Sequence, residues 1–194
     1  MAPARSWAIG LLAWALAVPA LAAEGPLALI ERMGEAAREL SYHGTFIYRQ
    51  GGQLETVRII HRGDGDGGGE RERLVSLTGI AREVLRDERN VTCIHSGNRS
   101  VIVNKVQRKT PLVRRLGALD PDFASHYELA LEGEDRVAGR TTRVVDIRPR
   151  DAFRYGYRLW LDRESGLLLR YELRDPAGET LEEMVYTSLV LPAA

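Results

Sequence analysis

The chain has 194 residues, 44% of them hydrophobic and 28% charged, which suits one large globular domain, or one domain and a tail. Lys+Arg and Asp+Glu both number 27, excluding a global field that would draw the chain to nucleic acid or to a charged membrane. Cys93 is the single cysteine, which excludes a disulfide within the chain.

The first 22 residues have the pattern of a cleavable secretory signal. Arg5 gives a short positive start, residues 7–18 are apolar or small, and Pro19-Ala-Leu-Ala22 ends in an Ala-x-Ala cleavage site. The apolar run is shorter than the roughly 20 residues that a membrane span takes. Cleavage after Ala22 removes one of the 27 basic residues, Arg5, and no acid, for a net charge of −1. Export to the bacterial periplasm is expected. Cys93 lies far from the cleavage site, so it carries no N-terminal lipid, and the mature chain is expected to be soluble and not membrane-spanning. In the apolar run Val91-Thr-Cys-Ile94 it reads as a small buried hydrophobe.

Residues 25–40 predict one helix. Pro26 stands near its start, where a missing N–H is harmless. Leu27, Ile30, Met33 or Gly34, Ala37 and Leu40 form an apolar stripe, with charged residues around the rest. Strands follow. Residues 42–49 and 54–61 flank Gly51-Gly52 and predict a hairpin. Residues 62–69, Arg-Gly-Asp-Gly-Asp-Gly-Gly-Gly, are a loop. Residues 70–77 and 81–86 pair around Thr78-Gly79; residues 90–95 and 100–106 pair around Ser96-Gly-Asn98. The pattern breaks over 107–122, with one short helical turn near 122–127. Strands resume at 127–131 and 136–148, with a turn or bulge at Gly139.

Residues 153–173 carry the clearest signal, a hairpin around the turn Asp162-Arg-Glu-Ser-Gly166. In the first arm Tyr155, Tyr157, Leu159 and Leu161 alternate with Arg154, Gly156, Arg158 and Trp160. In the second, Leu167, Leu169, Tyr171 and Leu173 alternate with Leu168, Arg170, Glu172 and Arg174. Each arm therefore has one apolar face and one mostly polar, Arg-rich face. A last strand over 180–189 pairs back across Asp175-Pro-Ala-Gly178. Ten or eleven short strands joined by tight turns are antiparallel. They predict a mainly β (α+β) fold, a curved antiparallel sheet or half-open β-barrel with a covering helix.

Catalytic patterns in this sequence are weak. The four His, at 43, 61, 95 and 126, are scattered. Cys93 and His95 share a strand face but give two ligands where zinc needs three or four. Asp64 to Glu70 is too short for a 12-residue calcium loop. No enzyme activity, cofactor or metal is expected. Two candidate surfaces remain. The first is the apolar face of Phe46, Tyr48, Tyr155, Tyr157, Leu159, Tyr171 and Met184, which serves either as core or as a surface for acyl chains or an extended peptide. One helix is short cover for ten strands. The second is the basic run Lys105, Arg108, Lys109, Arg114 and Arg115. It holds no acid and reads as a solvated loop or as a site for lipid phosphates or an acidic partner.

Several stretches, in order, resemble the large N-terminal domain of the RseB/MucB family of periplasmic sigma-E regulators. They are Tyr42-His-Gly-Thr-Phe-Ile-Tyr48, Glu70-Arg-Glu-Arg-Leu74, residues 120–127, Arg136-Val-Ala-Gly-Arg140, Arg154-Tyr-Gly-Tyr157 and Leu161-Asp-Arg-Glu-Ser-Gly-Leu-Leu168. The resemblance implies a fold like the lipoprotein carriers LolA and LolB. It implies a non-enzymatic role: binding the periplasmic region of a membrane-bound RseA/MucA-type anti-sigma factor, with release on sensing lipid or lipopolysaccharide. It assigns residues 23–190 to this domain and 191–194 to the start of a linker, with the family's second domain absent. A periplasmic lipid or lipoprotein carrier on the same fold is the alternative.

Overall fold

The computed structural model describes residues 24–65, 67–95, 97, 100–105 and 123–192. The expected signal segment and most of the basic run lie outside these residues. Helix α1 (Pro26–Glu39) begins with Pro26 in its first turn and closes with the Leu40 N–H donating to the Ala36 carbonyl. Six strands follow: β1 (Tyr42–Gln50), β2 (Gln53–Arg62), β3 (Arg71–Ser76), β4 (Arg82–Arg86), β5 (Asn90–His95) and β6 (Ser100–Lys105). A four-residue helix, α2 (Phe123–His126), leads into β7 (Tyr127–Val137), β8 (Arg140–Pro149), β9 (Gly156–Asp162), β10 (Leu168–Arg174) and β11 (Thr180–Val190).

All eleven strands form one antiparallel sheet in the order β6-β5-β4-β3-β2-β1-β11-β10-β9-β8-β7. Chain neighbours pair through turns. The one long-range join is β1 with β11, at the centre. Gly51 and Gly52 both have positive φ, 53° and 81°, the mirror-image turn whose twist suits a two-residue hairpin. The sheet is open, with β6 and β7 as its edges, and β7 curls back toward β11. The expected half-open, helix-covered sheet is the observed one.

Leu29, Ile30, Met33 and Ala36 of α1 join one buried cluster with Val145 and Ile147 of β8, Leu159 and Leu161 of β9, Leu169 and Tyr171 of β10, and Met184 and Tyr186 of β11. We call the face that meets α1 the inner face. The helix phase differs from the sequence expectation. Leu29 and Ala36 are buried, whereas Leu27 is exposed. The stripe centres on Ile30 and Met33, which puts Leu27 at its margin in the first turn. At the other end, a Cβ on Gly63 would stand 2.2 Å from the Glu39 carbonyl oxygen. Only glycine lets the end of β2 pass this close beneath the end of α1.

The 153–173 hairpin departs from a simple greasy face against a polar one. Trp160 and Leu168 are buried too. The Trp160 indole N–H donates to Asp135 Oδ2 at 2.9 Å, and the Arg170 guanidinium lies 4.3 Å from its ring centroid. A register shift between Leu168 and Arg170 brings an extra residue into β10. The turn is anchored by Asp162, which is 2% exposed. Its carboxylate accepts two bonds from Arg140, both 2.9 Å, and others from the Ser165 N–H and hydroxyl.

Candidate binding face

Residues directly opposite in neighbouring strands stand on the same face of a sheet. Leu159 faces Tyr171, Tyr171 faces Met184 and Met184 faces Tyr48, so these four form one rung across β9, β10, β11 and β1. Phe46 faces Tyr186, with ring centroids 5.5 Å apart. Tyr157 faces Leu173 on the same side. The structure thus brings six of the seven predicted apolar residues to the inner face. Tyr155 precedes β9 and is exposed, outside this ladder. Leu159, Tyr171 and Met184 are buried, while Phe46, Tyr48 and Tyr157 are half-buried against the cluster. The face has a filled floor and a partly open rim.

Glu182 ties part of that rim. The Tyr171 hydroxyl donates to Glu182 Oε1, and Gln50 Nε2 donates to Glu182 Oε2 at 3.1 Å. Tyr48 also hydrogen-bonds to Glu182; burial, and then the Glu182 charge, push its phenol up to about 12. The same causes, burial first, raise Tyr171 further. Both phenols are thus held in the neutral, donating form, with Glu182 as the shared acceptor. Beside them the Glu55 carboxylate accepts from Arg82 at 3.0 and 3.1 Å and from the Ser76 hydroxyl.

A second apolar ladder extends the inner face and was not foreseen. Ile59, Leu74, Val84, Cys93 and Ile102 are successive cross-strand partners from β2 to β6. Exposure climbs along it, from 5% at Ile59 to 49% at Ile102, so the cover given by α1 fades toward the edge. Each wing strand shows its alternation in sequence, but the register that lines these five residues up does not. Cys93 is half-buried here rather than fully buried.

Two open clefts flank these ladders. One, of about 780 Å³, lies between Gly68-Gly69 and the Asp87–Asn90 turn and is lined by Arg62, Arg71, Arg73, Arg86 and Arg89, among others. The other, of about 510 Å³, is lined by Tyr157, Arg148, Arg150 and Arg174, among others. Of the seven predicted residues, only Tyr157 lines either one. Of the basic run, Lys105 ends β6; Arg108, Lys109, Arg114 and Arg115 lie outside the described residues. Among the described residues no group of three or more His, Cys, Asp or Glu is placed to hold a metal ion. None of their helices is long and apolar enough to cross a membrane.

The fold is thus an open antiparallel sheet with an apolar, helix-capped inner face and tyrosine donors at its rim. The chain belongs to the MucB/RseB family: the family's N-terminal domain is matched over residues 25–194. It is 40% identical over 185 residues to the sigma factor AlgU regulatory protein MucB of Pseudomonas aeruginosa, covering 95% of this chain and 56% of that protein. It is 29% identical over 181 residues to the sigma-E factor regulatory protein RseB of Escherichia coli, covering 93% and 55%. The solved complex of P. aeruginosa MucA/MucB is similar at a TM-score of 0.69 and 37% identity, over 87% of this chain and 58% of that one. MucB in complex with MucA(peri) gives 0.66 at 37% identity, over 86% and 55%. The family resemblance read from the motifs is borne out, and these relatives are regulatory proteins rather than enzymes. The chain spans about half the length of the curated relatives it matches.

Proposed function

We propose that this chain is the LolA-like domain of a periplasmic negative regulator of the sigma-E envelope-stress response. In this reading it is exported by residues 1–22, the domain occupies residues 23–190, and it binds the periplasmic region of a membrane-bound MucA-type anti-sigma factor. The observation that carries the reading is the 37% identity, over 87% of this chain, to MucB solved together with MucA. Isothermal titration of the mature protein with that periplasmic region tests it. Saturable binding is the expected result. No binding, together with co-purification of lipoproteins, replaces the regulator by the carrier alternative.

Lipid sensing is the second half of the proposal. The support is the half-open inner face: Phe46, Tyr48 and Tyr157 offer partly uncovered rings over the floor of Leu159, Tyr171 and Met184. Acyl chains of lipid or lipopolysaccharide match its apolar surface; Tyr155 precedes β9 and is exposed. Lys105, Arg108, Lys109, Arg114 and Arg115 supply the sequence's densest positive charge for lipid phosphates or an acidic stretch of the partner. Replacing Arg114 and Arg115 by Glu weakens binding to anionic vesicles at low salt; unchanged affinity removes the basic run from the proposal.

A further inference from the structure

The two edges of the sheet are built differently. Edge strands offer a row of unpaired backbone donors and acceptors, and proteins blunt that row with charges, prolines, bulges or twist. The β7 edge carries such devices. Glu128, Glu132, Glu134, Asp135 and Arg136 lie along it, the ladder shifts register between Leu131 and Glu134, and Gly133 there has φ 102°. The β6 edge carries one charge, Lys105 at its end, and otherwise lacks these devices. Ser100-Val-Ile-Val-Asn104 has no charge and no proline, and its pairing with β5 runs without a break from His95–Ser100 to Asn90–Lys105.

The side chains of β6 say what kind of strand would add there. Ile102 continues the inner-face ladder through Cys93. Val101 and Val103 stand on the opposite face beside Ile94 and Thr92, and each is 62% exposed. Near this edge both faces of the sheet are therefore apolar. A strand that alternates polar and apolar residues satisfies only one of them. One that is β-branched or aliphatic on both faces and uncharged satisfies both. Antiparallel or parallel, it takes its affinity from backbone hydrogen bonds and its selectivity from these side chains.

We propose that β6 is a strand-addition site, and that its occupant is an extended apolar segment of the anti-sigma factor's periplasmic region. The proposal rests on the regulator reading above and adds where and how the partner is held. Alternate amides of Val101–Asn104 point away from β5 and become hydrogen-bonded in the complex, enlarging the sheet to twelve strands.

The test combines amide hydrogen exchange with titration, using the whole chain and the periplasmic region of a MucA-type anti-sigma factor. In the free protein the alternate β6 amides exchange fast, and partner binding slows them. A double variant, Val101→Lys with Val103→Lys, places two charges on an exposed edge and lowers affinity about tenfold or more, the loss expected on spoiling a central contact. Leu131→Lys on β7 is the control and leaves affinity unchanged. If the wild type binds and the double variant binds equally well, the β6 assignment falls and the regulator reading stands. If the wild type does not bind, both fall. Protection of the alternate amides already in the free protein means that the chain covers its own edge, and protection that grows with protein concentration means self-pairing. Either overturns the proposal. The wild-type exchange data decide the matter even where the double variant fails to fold.

Discussion

The two flanks of the sheet divide the work of the molecule. Over β8, β9 and β10, with α1 against the inner face, side chains are buried on both faces. The inner side holds Val145, Ile147, Leu159 and Leu169. The outer side holds Trp160 and two buried acids, Asp146 and Glu172, each neutralised by arginines: Arg148 and Arg158 for Asp146, Arg170 and Arg174 for Glu172. From β2 to β6 the same kind of sheet leaves Ile60, Leu85, Val101 and Val103 exposed, and ion pairs such as Arg73–Glu83 and Arg82–Glu55 lie toward solvent. Burial on two faces fixes one flank. One open face and an edge uncharged over Ser100–Asn104 leave the other able to gain area from a partner. Local stability should follow the same division, since few buried contacts mean low-energy opening.

The largest expected effect breaks this comparison if it fails. Leu169→Ala removes a fully buried side chain and lowers the unfolding free energy by about 3–4 kcal/mol. Val103→Ala, in the exposed wing, changes it by less than about 0.5 kcal/mol. Urea denaturation of the two variants measures both, and equal losses would mean that the wing is as tightly packed as the capped flank. Asp162→Asn comes next, at about 3 kcal/mol, because it strips the charge from a buried pair and leaves Arg140 short of its partner. Burial pushes the Asp162 carboxyl up, but Arg140 and Ser165 outweigh it and hold the group below the usual carboxylate range. A group depressed in the folded state stabilises above its unfolded value of about 3.9 and loses that contribution as pH falls through the folded value. The wild-type melting temperature therefore drops on acidification below about pH 4, and Asp162→Asn flattens that drop.

Much of this division was legible in the sequence, and the illegible parts share a cause. Period-2 alternation and glycine turns marked the strands, because both are local. Six of the seven residues that alternation picked lie on the inner face. Tyr155 was predicted on that face but lies outside it, because the alternation runs on past the strand: the Phe153 N–H donates to Asp151 Oδ1 at 2.9 Å, a turn that ends the extended backbone before Gly156. Non-local pairing was invisible. Nothing near Ile59 or Ile102 says that four strand registers will align them. The burial of Trp160 on an arginine-rich face depends on Asp135, 25 residues away. The helix phase depended on which side chains the sheet happened to meet.

The smallest effect sharpens the comparison at the seam between the flanks. His61, near the end of β2, is buried, and neither ring nitrogen has a hydrogen-bond partner. Its ring stacks on Tyr42 with centroids 4.7 Å apart and planes at 22°, and its Nδ1 lies 3.8 Å from the Glu72 carboxylate. That carboxylate also meets Arg86 at 3.4 Å. Packing, on this geometry, holds the ring more than polarity does. His61→Phe keeps the stack and removes two unpaired polar atoms, so it raises stability by about 1 kcal/mol. His61→Ala empties the site and lowers it by about 2–3 kcal/mol. Opposite signs in urea denaturation at neutral pH assign His61 to the packed flank's core. Equal losses would assign it instead to the Glu72–Arg86 charge system, and would move the boundary between the flanks from β2 to β1.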